Sequence, residues 1–202
     1  MTIIFDIETA PLPDAELAAL APEFEAPKNY KDAEKIKAAR EEKAREWRDG
    51  AALSAVTGRV LAIGCLDGEK FATLEGDELA ILNGFWNLTA HFAGRRFGGH
   101  NILDFDLPFL CRRSWALGLR VPGEVFDGHR ISSRFVDTLK LWGCGVHGAR
   151  VSLRDLARAL KVGDKTGSGA DFAALYVSDR HAALAYLEND CRLTAKVLAR
   201  LL

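Results

Sequence analysis

The stretch IFDIET near the N-terminus sets two carboxylates, Asp6 and Glu8, into a run of strand-forming apolar residues, Ile3, Ile4, Phe5 and Ile7. Such a run reads as a strand buried on both faces, where an acid is costly unless something compensates it. Side chains at i and i+2 of a strand leave the same face, so both carboxylates point the same way. At an effective dielectric of ~20, two charges a few ångström apart repel by roughly 3–4 kcal/mol. A cation or a shared proton is needed to hold them together. Two more clusters lie far along the chain. In GHNILDFDLPFL, Asp106 sits just before Pro108 at the start of an expected helix, whose positive end favours the charged carboxylate. Asp104, two residues earlier, is a competing ligand. In YLENDCRL, Tyr186 and Asp190 stand four apart on one flank of an expected terminal helix, so a phenol and a carboxylate emerge side by side.

These side chains need elements to position them. After the first strand, APLPDAELAALAPEFEAPKNY is proline-punctuated and reads as irregular with a short helix. KDAEKIKAAREEKAREWRDG is rich in helix formers, with Ala33, Ile36, Ala44, Trp47 and Ala51 as a thin apolar stripe. GRVLAIGCLDGEKFATLE is a hairpin signal turning at Asp67-Gly68. A helix is expected over 77–93, a short strand in RRFGGHN, a helix from about Pro108 to Leu117 and a strand in SRFVDTLKL. Ser152 opens a helix in VSLRDLARAL, with Asp155 as its capping-box partner. The terminal helix starts at Ser178 or Asp179 and buries a seam of Leu184, Leu187, Cys191, Thr194, Leu198 and Leu201. A hairpin followed by alternating strands and helices argues an α/β fold with a mixed sheet.

At 202 residues the chain suits one domain with a sizeable core. A formal net charge of −1 gives no global basic field, so any nucleic-acid contact must be local. No segment approaches the ~20 apolar residues of a membrane span, and the N-terminus enters a strand without a signal-peptide pattern. The expectation is a soluble, cytoplasmic protein without membrane partners. Cys65, Cys111, Cys144 and Cys191 are far apart, without zinc spacing, and read as reduced core residues.

FDIET, GHNILDFD and Y-x-x-x-D, in this order, resemble the three exonuclease motifs of the DEDD superfamily of 3′–5′ exonucleases. A tyrosine four residues before the last aspartate is similar to the DEDDy branch; Ala185 fills the position that a histidine would need, and His181 lies nine residues before Asp190. The likeness is to bacterial and phage exonucleases related to the proofreading domain of family B DNA polymerases. It spans residues 1–9 and about 58–202, with VDTLKL and SLRDLARALKV resembling inter-motif segments.

The resemblance implies a ribonuclease H-like α/β fold, a mixed sheet flanked by helices, in a single exonuclease domain over 1–202. A charged helical arm at about 11–52 would be inserted after the first strand. It implies Asp6, Glu8, Asp106 and Asp190 as metal ligands and Tyr186 as the residue orienting the attacking water. Asn101 and Thr9 would hold the 3′-terminal nucleotide. The chemistry suits these residue types. Two Mg²⁺ or Mn²⁺ ions ~3.5–4 Å apart activate water and stabilise the leaving oxygen of a phosphodiester, and hard ions want oxygen ligands. The expected division has Asp6 bridging both ions, Glu8 and Asp190 on the water-activating ion, and Asp106 on the other. A phenol with an ordinary pKa near ~10 stays protonated and orients the nucleophile by hydrogen bonding.

The expected activity is release of nucleoside monophosphates from a free 3′ end, of single-stranded DNA first, within replication or repair. The alternatives are an RNA-trimming, oligoribonuclease-like enzyme and a catalytically weak nucleic-acid-binding accessory. Phe109 would stand one turn after position 106, beside a terminal base or in the core. Arg112, Arg113 and Lys165, the last in the loop GDKTGSG, are candidate phosphate contacts. The arm at 28–50 could clamp a strand, cover the site, mediate dimerisation or serve only structure.

Overall fold

A computed structural model describes residues 2–146, 148–167 and 169–202. Two compact units divide the chain: Met1–Glu8 with Val60–Leu202, and Thr9–Arg59. Strand β1, Thr2–Pro11, begins in the first and ends in the second.

In the Thr9–Arg59 unit, α1 spans Asp14–Ala19 and α2 spans Ala33–Asp49. Good helix formers fill α2, and its start is fixed by the Asp32 side chain, which accepts from the Lys35 amide at 3.0 Å. The apolar stripe is shallower than its spacing suggests. Ile36, Ala44 and Trp47 are half-buried, Ala33 is exposed, and no α2 residue is fully buried. Leu12, Leu17 and Ala51 form a small core with Trp47 against it.

The larger unit continues with β2, Gly58–Asp67, and β3, Lys70–Glu75, an antiparallel hairpin whose last pair is Asp67 with Lys70. The two-residue turn therefore starts at Gly68, whose φ of 63° is the left-handed conformation glycine adopts without strain. Next come α3 (Glu78–His91), β4 (Arg96–Gly99), α4 (Asp106–Ala116), a short hairpin of β5 (Phe126–Asp127) and β6 (Arg130–Ile131), and β7 (Phe135–Asp137). The chain closes with α5 (Thr138–Gly143), α6 (Leu153–Ala159), α7 (Phe172–Ser178) and α8 (Arg180–Leu201).

Five strands form one mixed sheet in the order β3-β2-β1-β4-β7, with β1, β4 and β7 parallel. Both faces are covered, which is why β1 lacks hydrophobic alternation. Ile4 packs with Ala62, Leu66 and the α8 residues Leu187, Cys191 and Leu198. Phe5, on the opposite face, meets the Phe85 ring of α3 at 5.0 Å between centroids. Asp6 and Glu8 share the parity of Ile4 and thus leave the sheet on the α8 side. Two glycines let α8 approach. A Cβ on Gly64 would lie 2.8 Å from the Leu187 side chain, and one on Gly98 would lie 3.2 Å from that of Leu198.

Two local expectations are corrected. The strand in SRFVDTLKL stops at Asp137, because its carboxylate accepts from the Leu139 amide at 2.8 Å and caps α5. The terminal helix starts where expected, with Asp179 accepting from the Ala182 amide at 3.0 Å as its cap. The buried face of α8 is also wider than one seam, taking in Ala183, Tyr186, Asp190, Leu193 and Val197, while Leu184 and Leu201 are only half-buried. Among the described residues, no helix is long and apolar enough to cross a membrane.

Candidate metal centre

Asp6 and Glu8 leave β1 toward α8, and Asp190 meets them from the helix. One carboxylate oxygen from each lies within 4.8 Å of the other two. The strand period fixes the first pair, and the packing of Leu187 and Cys191 on β2 brings Asp190 over it. Burial, aided by Asp190, raises the Asp6 carboxyl to about 7, against the opposing charge of Lys165. Burial and then Asp6 and Asp190 raise Glu8 to about 10.

Asp106 does not join this trio. It occupies the first turn of α4, and its Oδ1 accepts from the Ile7 amide at 3.2 Å, so it stands beside the strand segment that carries the other two. Burial, then the charge of Asp6, holds its carboxyl well above the usual range. Tyr186 sits one turn before Asp190 on α8. Among the described residues, its buried hydroxyl and Asp190 Oδ1 have no hydrogen-bond partner. Burial, then the charges of Asp190 and Glu8, push that phenol far above its ordinary value, so it remains a donor.

The residues expected to touch substrate have different fates. Asn101 adopts a φ of 65° in the turn after β4, and its amide donates to Asp137 Oδ1 at 2.9 Å. Thr9 is half-buried on β1 and belongs to the Thr9–Arg59 unit. Phe109 is buried, its ring 5.6 Å from that of Phe105, with almost no face left for a base. Arg113 is also buried. Its Nε and Nη2 donate to Glu78 at 2.9 and 2.7 Å, and Glu78 additionally accepts from the Val60 amide at 2.8 Å. This pair ties α4 to α3 and β2, so Arg113 is a structural cation in this structure. Arg112 is exposed, and Asp104 pairs with Lys140 at 2.6 Å rather than joining the acidic cluster.

Lys165, read as a candidate phosphate contact, has a different partner, and Asp137 escaped sequence reading. Lys165 reaches the trio itself, with its ammonium 2.6 Å from Asp190 Oδ2 and 5.2 Å from the Tyr186 ring centroid. Asp137 organises the turn before α4, accepting from the amides of Asn101 and Leu103, each at 2.9 Å, as well as capping α5. An aspartate before a helical run signals the cap. Nothing local signals the grip on residues 101–103.

Oxygen ligands on a buried, under-compensated anionic cluster suit a hard divalent cation. The arrangement of these residues fits such an ion. No protein-family model matches the chain, and no curated protein does. Among solved structures, the family B DNA polymerase from the hyperthermophilic archaeon Pyrobaculum calidifontis aligns with a TM-score of 0.65 at 17% identity, over 99% of this chain and 24% of that one. The chain thus spans about a quarter of that polymerase's length. At this identity the likeness speaks to fold, and the mixed five-stranded sheet flanked by helices is ribonuclease H-like.

Proposed function

We propose that this chain is a metal-dependent 3′–5′ exonuclease of the DEDDy type, hydrolysing phosphodiester bonds from a free 3′ end, of single-stranded DNA foremost, to release nucleoside monophosphates. The observation that carries this reading is the meeting of Asp6, Glu8 and Asp190 within 4.8 Å, beside a buried tyrosine hydroxyl that has no hydrogen-bond partner among the described residues. Fold likeness to part of a DNA polymerase supports it. We assign the domain as a single exonuclease unit over 1–202, with an inserted helical arm at about 11–52.

Asp6, Glu8 and Asp190 would hold one divalent ion, with Asp6 shared and Asp106 assigned to a second. Bound Mg²⁺ or Mn²⁺ supplies an activated water and a counter-charge for the leaving oxygen. The chain's residues do the rest. The Tyr186 hydroxyl, kept protonated by burial and then by its anionic surroundings, donates toward the nucleophile and orients it. Asn101, fixed by Asp137 at its backbone, presents its amide side chain to the terminal nucleotide. α8 and the sheet exclude bulk water from the carboxylates, strengthening every charge interaction there.

The test is end-labelled single-stranded DNA, duplex DNA and RNA, each incubated with and without Mn²⁺ or Mg²⁺. The expected result is a metal-dependent ladder shortening from the 3′ end, fastest on single-stranded DNA. No shortening of any substrate would overturn the reading, and a strong preference for RNA would redirect it to an exoribonuclease.

A further inference from the structure

Lys165 does not point away as a surface cation. Its Nζ is 2.6 Å from Asp190 Oδ2, with the lysine side chain 20% exposed and that of Asp190 2% exposed. A neighbour of the opposite charge at this range stabilises a carboxylate as strongly as any group the fold supplies.

The loop that delivers Lys165 is pinned on both sides of it. Asp164 pairs with Arg158 at 2.6 Å and Arg154 at 3.6 Å, and accepts from the Lys165 amide at 2.8 Å. Beyond the lysine, Arg154 donates to the Gly167 carbonyl at 2.7 Å. Gly167 lies against the tyrosine, where a Cβ would stand 3.0 Å from Tyr186 Cδ2. Backbone and clamp therefore set the ammonium over Tyr186 and onto Asp190.

Resting on the reading of this cluster as a metal centre, we propose that Lys165 is a tethered cation that competes with the divalent metal for Asp190. Both cations draw on the same carboxylate, and an ammonium and a divalent ion held at contact distance from it repel each other. Loading the metal breaks the Lys165–Asp190 pair and turns the side chain outward, while the Asp164 clamp keeps the loop in place. In the unloaded protein the lysine lowers the repulsion among the acids and thereby weakens metal uptake.

Calorimetric titration of Mn²⁺ into the wild type, Lys165→Met, Lys165→Gln and Asp190→Asn tests this without reference to turnover. Removing the charge is expected to tighten Mn²⁺ binding on the order of tenfold, the lower end of what one adjacent charge does to a carboxylate equilibrium. In the wild type, covalent amine labelling of Lys165 followed by peptide mass analysis is expected to rise on Mn²⁺ addition. Labelling of Lys140, paired away from the trio, serves as the constant reference. Equal or weaker Mn²⁺ binding in both lysine variants, or labelling of Lys165 unchanged by Mn²⁺, would overturn the competition while leaving the metal centre standing, provided Asp190→Asn loses uptake. No Mn²⁺ uptake by the wild type would instead overturn the centre, and the competition with it.

Discussion

Asp137 and Asp190 are equally buried, each 2% exposed, yet the fold treats them in opposite ways. Three backbone amides, of Asn101, Leu103 and Leu139, converge on the Asp137 carboxylate at 2.8–2.9 Å. Asp190 has one ammonium on Oδ2, no hydrogen-bond partner among the described residues on Oδ1, and two further carboxylates facing it. Burying a carboxylate costs several kcal/mol unless its charge is met. At Asp137 the chain meets that cost from its own amides, and the result is architecture. At Asp190 it adds like charges instead, which leaves an external cation as the natural complement. Burial alone therefore does not mark a site; burial with compensation withheld does.

The largest effect should separate the two aspartates by what they lose. Asp190→Asn is expected to reduce metal-dependent hydrolysis by at least on the order of 10³-fold while the melting temperature stays level, because it removes a repulsive charge and a ligand together. Full activity in that variant would break the comparison from the functional side. Asp137→Ala strands three buried amides and should destabilise the fold by about 3–5 kcal/mol, read from urea unfolding. A stable Asp137→Ala protein would break it from the structural side. Tyr186→Phe should slow hydrolysis on the order of 10²-fold with little change in stability, and an unchanged rate would take the hydroxyl out of the chemistry.

The smallest effect sharpens the comparison through pH. Asp6 and Glu8 have folded pKa values raised to about 7 and about 10, so the metal-free native state holds more protons than the unfolded chain above their ordinary values of 3.8 and 4.5. Their contribution to stability is greatest in acid and declines as pH rises through those folded values. Burial lowers the His100 pKa, which works in the opposite direction, but it does so with or without metal. The gain in melting temperature on adding Mn²⁺ should therefore grow from pH 5 to pH 8, since metal displaces protons from the trio. A gain independent of pH would mean that these acids are already ionised.

Much of the site was readable because its pieces are local. The i, i+2 spacing of Asp6 and Glu8 sets their common face, and the i, i+4 spacing of Tyr186 and Asp190 does the same on a helix. Caps at Ser152 and Asp179 act within three residues, as their bonds to the Asp155 and Ala182 amides show. The failures are all non-local. Arg113 looks like a phosphate ligand until Glu78, 35 positions earlier, claims it. Phe109 shares its helical stripe with the site but turns into the core against Phe105. Lys165 was legible as a cation near substrate, but not as the partner of Asp190.

By itself, then, the sequence determined the elements and the direction in which each acid leaves its own strand or helix, since backbone geometry repeats every two or 3.6 residues regardless of the rest. Which of those acids share a pocket, and which cation stands among them, was decided only by tertiary packing. Glycines at 64 and 98 admit α8 to the sheet, and an arginine-clamped loop carries Lys165 to Asp190. Those distances are set by side-chain volumes and charges far apart in the chain, and no local period encodes them.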